Sequence, residues 1–126
     1  MAAAKRVLVV DDAIFMRNMI KDIFNDEQYD IVGEAANGVE AVEKYKELKP
    51  DLITMDIVMP FKSGIEATRE ILAFDKTALI VMCSALGQES LVMEAIEAGA
   101  ADFVVKPFKP EDVQRVVQKA LSSRAK

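Results

Sequence analysis

Five short, largely apolar runs constrain this chain more than any other feature. They are VLVV at 7–10, IVG at 31–33, LITM at 52–55, LIVMC at 79–83 and FVV at 103–105. Each is too short for an ordinary helix, is rich in β-branched residues, and is continuous rather than alternating, the pattern of a strand covered on both faces. Between them lie segments with helical spacing, clearest in Met16, Met19, Ile20, Ile23 and Phe24 and in Val113, Val116, Val117, Ala120 and Leu121. Asn37 with Glu40 predicts a capped helix start, Gly99 a helix end, and Pro110 followed by Glu111 and Asp112 the opening of the last helix. Five strand-helix units predict an α/β fold: a five-stranded parallel sheet with right-handed crossovers and helices on both faces, a doubly wound (βα)5 arrangement.

In such a fold, ligands sit outside the carboxyl ends of the strands, where the strand order reverses. Read at those ends, the sequence gives Asp11 and Asp12 after strand 1, Asp56 closing strand 3, Ser84 closing strand 4, and Lys106 with Pro107 after strand 5. Two carboxylates a few ångströms apart repel by roughly 4 kcal/mol at an effective dielectric near 20, so a fold that holds them together holds something positive between them. Mg2+ fits, because it takes oxygen ligands from one or two carboxylates together with a substrate phosphate. A third carboxylate facing that pair can act as a nucleophile toward phosphorus, and Asp56 has that place. Lys106 and Ser84 are then positioned to neutralise and hydrogen-bond phosphoryl oxygens in an in-line transfer.

Plainer readings compete at each position. Adjacent acids at a strand-to-helix junction can simply cap the helix, and a lysine before proline is commonly a loop residue. Only the set of matching strand ends outweighs these readings. Phe103 reads equally well as a core strand residue. The seven methionines read as core filler rather than a partner groove, with Met93 on helix 4 open to either role. Cys83 reads as a small buried hydrophobe, and Glu94 and Glu97 as a solvated helix face.

Composition narrows the function classes. With 126 residues, 52% hydrophobic, 29% charged, four prolines and five glycines, the chain is expected to form one globular domain over residues 1–126. The net charge of -5, without a Lys/Arg stripe, excludes a grip on nucleic acid. One cysteine precludes an internal disulfide, and MAAAKR leads into the first strand without a signal-type apolar region, so a cytoplasmic location is expected. No apolar run approaches the roughly 18 residues of a membrane span.

VLVVDDAIFMR, DLITMDIVMPFKSG, IVMCSALG and ADFVVKPF, spread from Lys5 to Ser122, together resemble the response-regulator receiver domains, most closely the stand-alone chemotaxis kind. The resemblance implies a flavodoxin-like fold with strand order 2-1-3-4-5, phosphorylation of Asp56, direct Mg2+ binding by Asp12, a water-mediated metal role for Asp11, and the backbone carbonyl of Val58 as a ligand. It implies that Ser84 holds a phosphoryl oxygen and that Lys106 pairs with the phosphoryl group ahead of a cis bond to Pro107. It also implies a switch through Ser84 and Phe103, and a role in tuning dephosphorylation for Val58 and Leu86, which flank the line of water attack. The implied partners are a histidine kinase of the chemotaxis type, a flagellar motor switch protein or other protein target engaged through helix 4, strand 5 and helix 5, and a phosphatase. The implied role is a signalling receiver without an output domain, which catalyses its own phosphorylation and slow dephosphorylation.

Two departures stand out. Phe103 occupies a position where chemotaxis relatives often have tyrosine, so a rotamer switch there has no hydroxyl to latch. The turn VMPFKSG carries Lys62 and Ser63 before Gly64, where the family often has an apolar residue and then Asp or Asn. Other functions on the same fold fit less well. A phosphorelay carrier feeding a histidine phosphotransfer protein remains the alternative within the class. A flavin binder needs an anion-friendly loop after strand 1, the reverse of DDAIF, and an aspartate-nucleophile phosphatase needs D-x-D there and usually a cap domain.

Overall fold

The structure, a computed structural model, describes residues 3–124. Met1 and Ala2, read above as part of the lead into the first strand, lie outside it, as do residues 125–126. Five βα units follow one another: β1 (Lys5–Val10), α1 (Ile14–Ile23), β2 (Tyr29–Ala35), α2 (Gly38–Leu48), β3 (Leu52–Asp56), α3 (Gly64–Phe74), β4 (Ile80–Ser84), α4 (Glu89–Glu97), β5 (Asp102–Val105) and α5 (Pro110–Arg124). All strand pairings are parallel, in the order β2-β1-β3-β4-β5. This is the doubly wound, flavodoxin-like arrangement expected.

The two faces of the sheet follow from the twofold alternation of side chains along a strand. Leu8, Val10, Ile53, Met55, Ile80 and Met82 point to one side, where Tyr45 of α2, Ile71 of α3 and Val92 of α4 cover them. Val7, Val9, Leu52, Val81 and Cys83 point to the other, beneath Ile20 and Ile23 of α1 and Val113 and Val117 of α5. Every residue of β3 and β4 is buried, which explains why, apart from Thr54 and the terminal Asp56 and Ser84, their sequences are apolar.

Local signals place the element ends. The Asn37 side chain accepts from the Glu40 N–H at 2.9 Å, and the Glu40 carboxylate reaches back one residue beyond the cap, to the Ala36 N–H at 3.0 Å. Gly99 (φ 114°) follows the end of α4, and Pro110 opens α5. Strand β2 is longer than its apolar triplet because Asp30 and Glu34 lie in an edge strand that pairs on one side only, with β1.

The chain leaves β3 through a tight passage. The Gly64 N–H donates to the Ile57 carbonyl at 2.8 Å, and a Cβ on Gly64 would lie 2.1 Å from the carbonyl oxygen of Asp56. Only glycine allows the start of α3 to pass this close to the end of β3. Gly64→Ala is therefore expected to destabilise the fold by about 2 kcal/mol, read as a lower urea midpoint at unchanged slope; an unchanged midpoint would show that the passage has slack.

Candidate functional site

The sheet reverses its order at β1, whose neighbours are β2 on one side and β3 on the other. At the carboxyl ends of β1 and β3, carboxylate oxygens of Asp11, Asp12 and Asp56 all lie within 4.8 Å of one another. Asp11 is buried (1% exposed) and Asp56 nearly so (9%), while Asp12 is exposed. Asp11 and Asp12 do not cap α1: its N-cap is Ala13, with no side-chain bond. Asp11 instead accepts from the Ala13 N–H through Oδ1 at 2.9 Å.

Lys106 reaches across from the end of β5. Its ammonium donates to Asp11 Oδ2 at 3.0 Å and stands 3.4 Å from Asp56 Oδ1. Burial alone would lower the Lys106 pKa, but the hydrogen bond to Asp11 and the charges of Asp56 and Asp11 outweigh it and hold the ammonium above its ordinary value. Asp56 moves the opposite way to an ordinary paired carboxylate. Burial, and then repulsion from Asp11, push it up to about 6 against the pull of Lys106, with Asp12 adding to the rise. One ammonium does not balance three carboxylates, so the arrangement fits a further cation. The donor set, all hard oxygen, suits Mg2+.

The remaining expected residues surround this centre. Ser84 is buried, and its hydroxyl donates to the Val104 carbonyl at a long 3.5 Å. Its own carbonyl accepts from the Lys106 N–H at 2.7 Å and ties the ends of β4 and β5 together. The Lys106–Pro107 peptide is cis. Val58 and Leu86 stand on the two loops beside the site, 53% and 77% exposed. Phe103 is a surface residue, 37% exposed, and with Leu86, Met93 and Ile96 it lines a cavity of about 310 Å³ that reaches Ser84. The core reading of Phe103 therefore does not hold. Cys83 is buried beneath the site, and burial pushes its thiol up to about 12, so it is unreactive.

Three further contacts carried no signal of their own in the sequence. Arg17 donates to the backbone carbonyl of Asp11 at 2.6 Å and to Glu34 at 3.0 Å, and Lys21 donates to Glu34 at 2.8 Å. Glu34 is consequently held below the usual carboxylate range, chiefly by Lys21, against a smaller effect of burial. Helical spacing puts Arg17 and Lys21 on one face of α1, but their partner on β2 becomes visible only in the fold.

Comparison with known proteins agrees with this geometry. Residues 7–118 match the family model described as the response regulator receiver domain. The chemotaxis protein CheY of Thermotoga maritima is 59% identical over 91% of this chain and 96% of its own length, and that of Bacillus subtilis is 56% identical over 94% and 99%. Among solved structures, a chain of the CheX-CheY-BeF3-Mg2+ complex from Borrelia burgdorferi superposes with a TM-score of 0.86 at 41% identity, covering 91% of this chain and 87% of that one. The response regulator domain of Thermotoga maritima CheB superposes with a TM-score of 0.88 at 40% identity, covering 94% and 97%.

The raised Asp56 value has a consequence for stability. The fold binds this proton more tightly than the unfolded chain does, so the stability it contributes is fully present below the unfolded value of about 3.8 and is lost as pH rises through about 6. With divalent cations chelated, Asp56→Asn should stabilise the fold at pH 7.5 by about 2 kcal/mol, or about 5 °C in Tm. The gain should shrink as pH falls through 6 toward 4. A gain that is absent, or flat across that range, would contradict the electrostatic account.

Proposed function

The chain belongs to the response regulator receiver domain family, and we propose that within it this protein is a phosphorylation switch for chemotaxis, charged on Asp56 by a histidine kinase and read by a flagellar motor switch protein. The observation that carries this reading is the set of three carboxylates within 4.8 Å, two of them spanned by one ammonium. The names of its most similar relatives favour a chemotaxis messenger over a phosphorelay carrier. Residues 1–126 act as one receiver unit, and its output is a change in affinity for a protein partner. Among the described residues no helix is long and apolar enough to cross a membrane, and we place the protein in the cytoplasm.

An Asp56 oxygen attacks the phosphorus of a phosphohistidine, the P–N bond breaks with its electron pair leaving on the imidazole, and an acyl phosphate forms. Asp56 must be ionised to attack, and a divalent cation beside it would favour the ionised form. Asp12, Asp56 and the Val58 carbonyl, with Asp11 beside them, would hold Mg2+, which would neutralise the phosphoryl oxygens. Lys106, already between Asp11 and Asp56, turns toward the incoming phosphoryl group and stabilises its developing charge. Ser84 exchanges its long bond to Val104 for a phosphoryl oxygen. Its loop follows, and the cavity beside Phe103 gives that ring room to turn inward, which shifts a pre-existing equilibrium. The change is read on the face of α4, β5 and α5, where Met93, Lys109 and Lys119 are exposed.

Incubation with Mg2+ and acetyl phosphate should add one acid-labile phosphoryl group, seen by mass spectrometry and lost in Asp56→Asn; undiminished labelling of that variant would move the acceptor elsewhere. Loss of the phosphoryl group should be slow without a phosphatase, because Val58 and Leu86 offer no group to orient water. Replacing them with Asn and Glu should hasten decay by roughly tenfold, the effect of about 1 to 2 kcal/mol from one oriented water contact. An unchanged or longer half-life in the double variant would remove water exclusion as the cause.

A further inference from the structure

The carboxylate of Asp12 has no hydrogen-bond or ion-pair partner among the described residues, so nothing but its own backbone aims it at the metal position. That backbone is held from three directions. The Asp11 N–H donates to the Ala35 carbonyl at 3.1 Å, and Asp11 Oδ1 folds back onto the Ala13 N–H at 2.9 Å. The third hold falls on the peptide that joins Asp11 to Asp12: its carbonyl oxygen accepts from the Arg17 guanidinium at 2.6 Å. Arg17 is well covered, its side chain 15% exposed. Its Nε is fixed at 3.0 Å by Glu34, whose second oxygen is fixed by Lys21 at 2.8 Å. A charge-assisted bond from a planar donor anchored at its other edge sets direction as well as distance.

We propose that Arg17 is a positioning residue for the divalent-cation site: by clamping the Asp11 carbonyl it fixes the plane of the Asp11–Asp12 peptide and so the direction of the Asp12 carboxylate, while Glu34 and Lys21 hold Arg17 in place. The inference rests on the reading of Asp12 as a metal ligand. It makes a prediction opposite in sign to that of charge alone. Removing a cation near three carboxylates should strengthen Mg2+ binding on electrostatic grounds, whereas releasing the ligand from its fixed direction should weaken it, as loss of residues that orient metal ligands does.

Isothermal titration of the whole chain with Mg2+ tests this. Arg17→Met should weaken binding by about tenfold, and Arg17→Lys, which keeps the charge but loses the fork, by several-fold. Phosphorylation by acetyl phosphate should then show a shifted Mg2+ dependence that recovers at saturating Mg2+, a shift that mere destabilisation of the fold would not produce. Binding that is unchanged or tighter in Arg17→Met overturns the proposal. If that variant does not fold, Arg17→Lys decides, and parental affinity there overturns it. Failure of the underlying reading looks different: the parent protein then gives no Mg2+ isotherm, or Asp12→Ala keeps the parental one.

Discussion

Repulsion among three carboxylates at the reversal of one sheet is the constraint around which this molecule is arranged. Asp11 and Asp56 are nearly sealed from water, where like charges interact most strongly. A chain folded for stability alone would not place them together. Lys106 relieves part of the strain by touching Asp11 and approaching Asp56. The residue left over is visible in Asp56, pushed up to about 6 by burial and by its neighbours. A site in this state is short of positive charge and tense toward anything that supplies it.

The fold gives that tension somewhere to act. Strands β3 and β4 are covered on both faces; the loop after Asp56 is anchored by buried Ile57 and Met59, while residues 85–87 in the loop after Ser84 are exposed. Leu86 and Phe61 stand largely exposed on those loops, and the cavity under Leu86, Met93 and Phe103 lies directly beyond Ser84. A rearrangement at Ser84 has room to spread toward α4 and β5. On the other flank, Arg17, Glu34 and Lys21 tie α1 to β2 and leave the Asp11–Asp12 peptide little freedom. The flank at α1 and β2 is braced, while the loop after Ser84 and the cavity beside it are open.

Much of this was legible in the sequence because the fold writes its strands as apolar bursts. VLVV and LITM announce β1 and β3, and the polar residue after each burst is, by topology, at the binding edge. The exceptions have physical reasons. β2 extends past IVG at both ends because an edge strand keeps polar residues such as Asp30 and Glu34. Phe103 could not be placed from FVV alone, since β5, the other edge strand, does not bury all its residues. The Ser84 hydroxyl turned toward Val104 reflects a bond across strands, and Arg17 joins its partners over 6 and 17 positions, a pairing that no periodicity marks.

Thermal unfolding at pH 7.5 against increasing Mg2+, with ionic strength held constant by a monovalent salt, tests the central claim most directly. If the unbalanced carboxylates form a divalent-cation site, Tm rises with Mg2+ as mass action requires, and the rise disappears in Asp12→Ala. An equal rise in that variant, or an equal rise produced by the monovalent salt alone, would contradict the account.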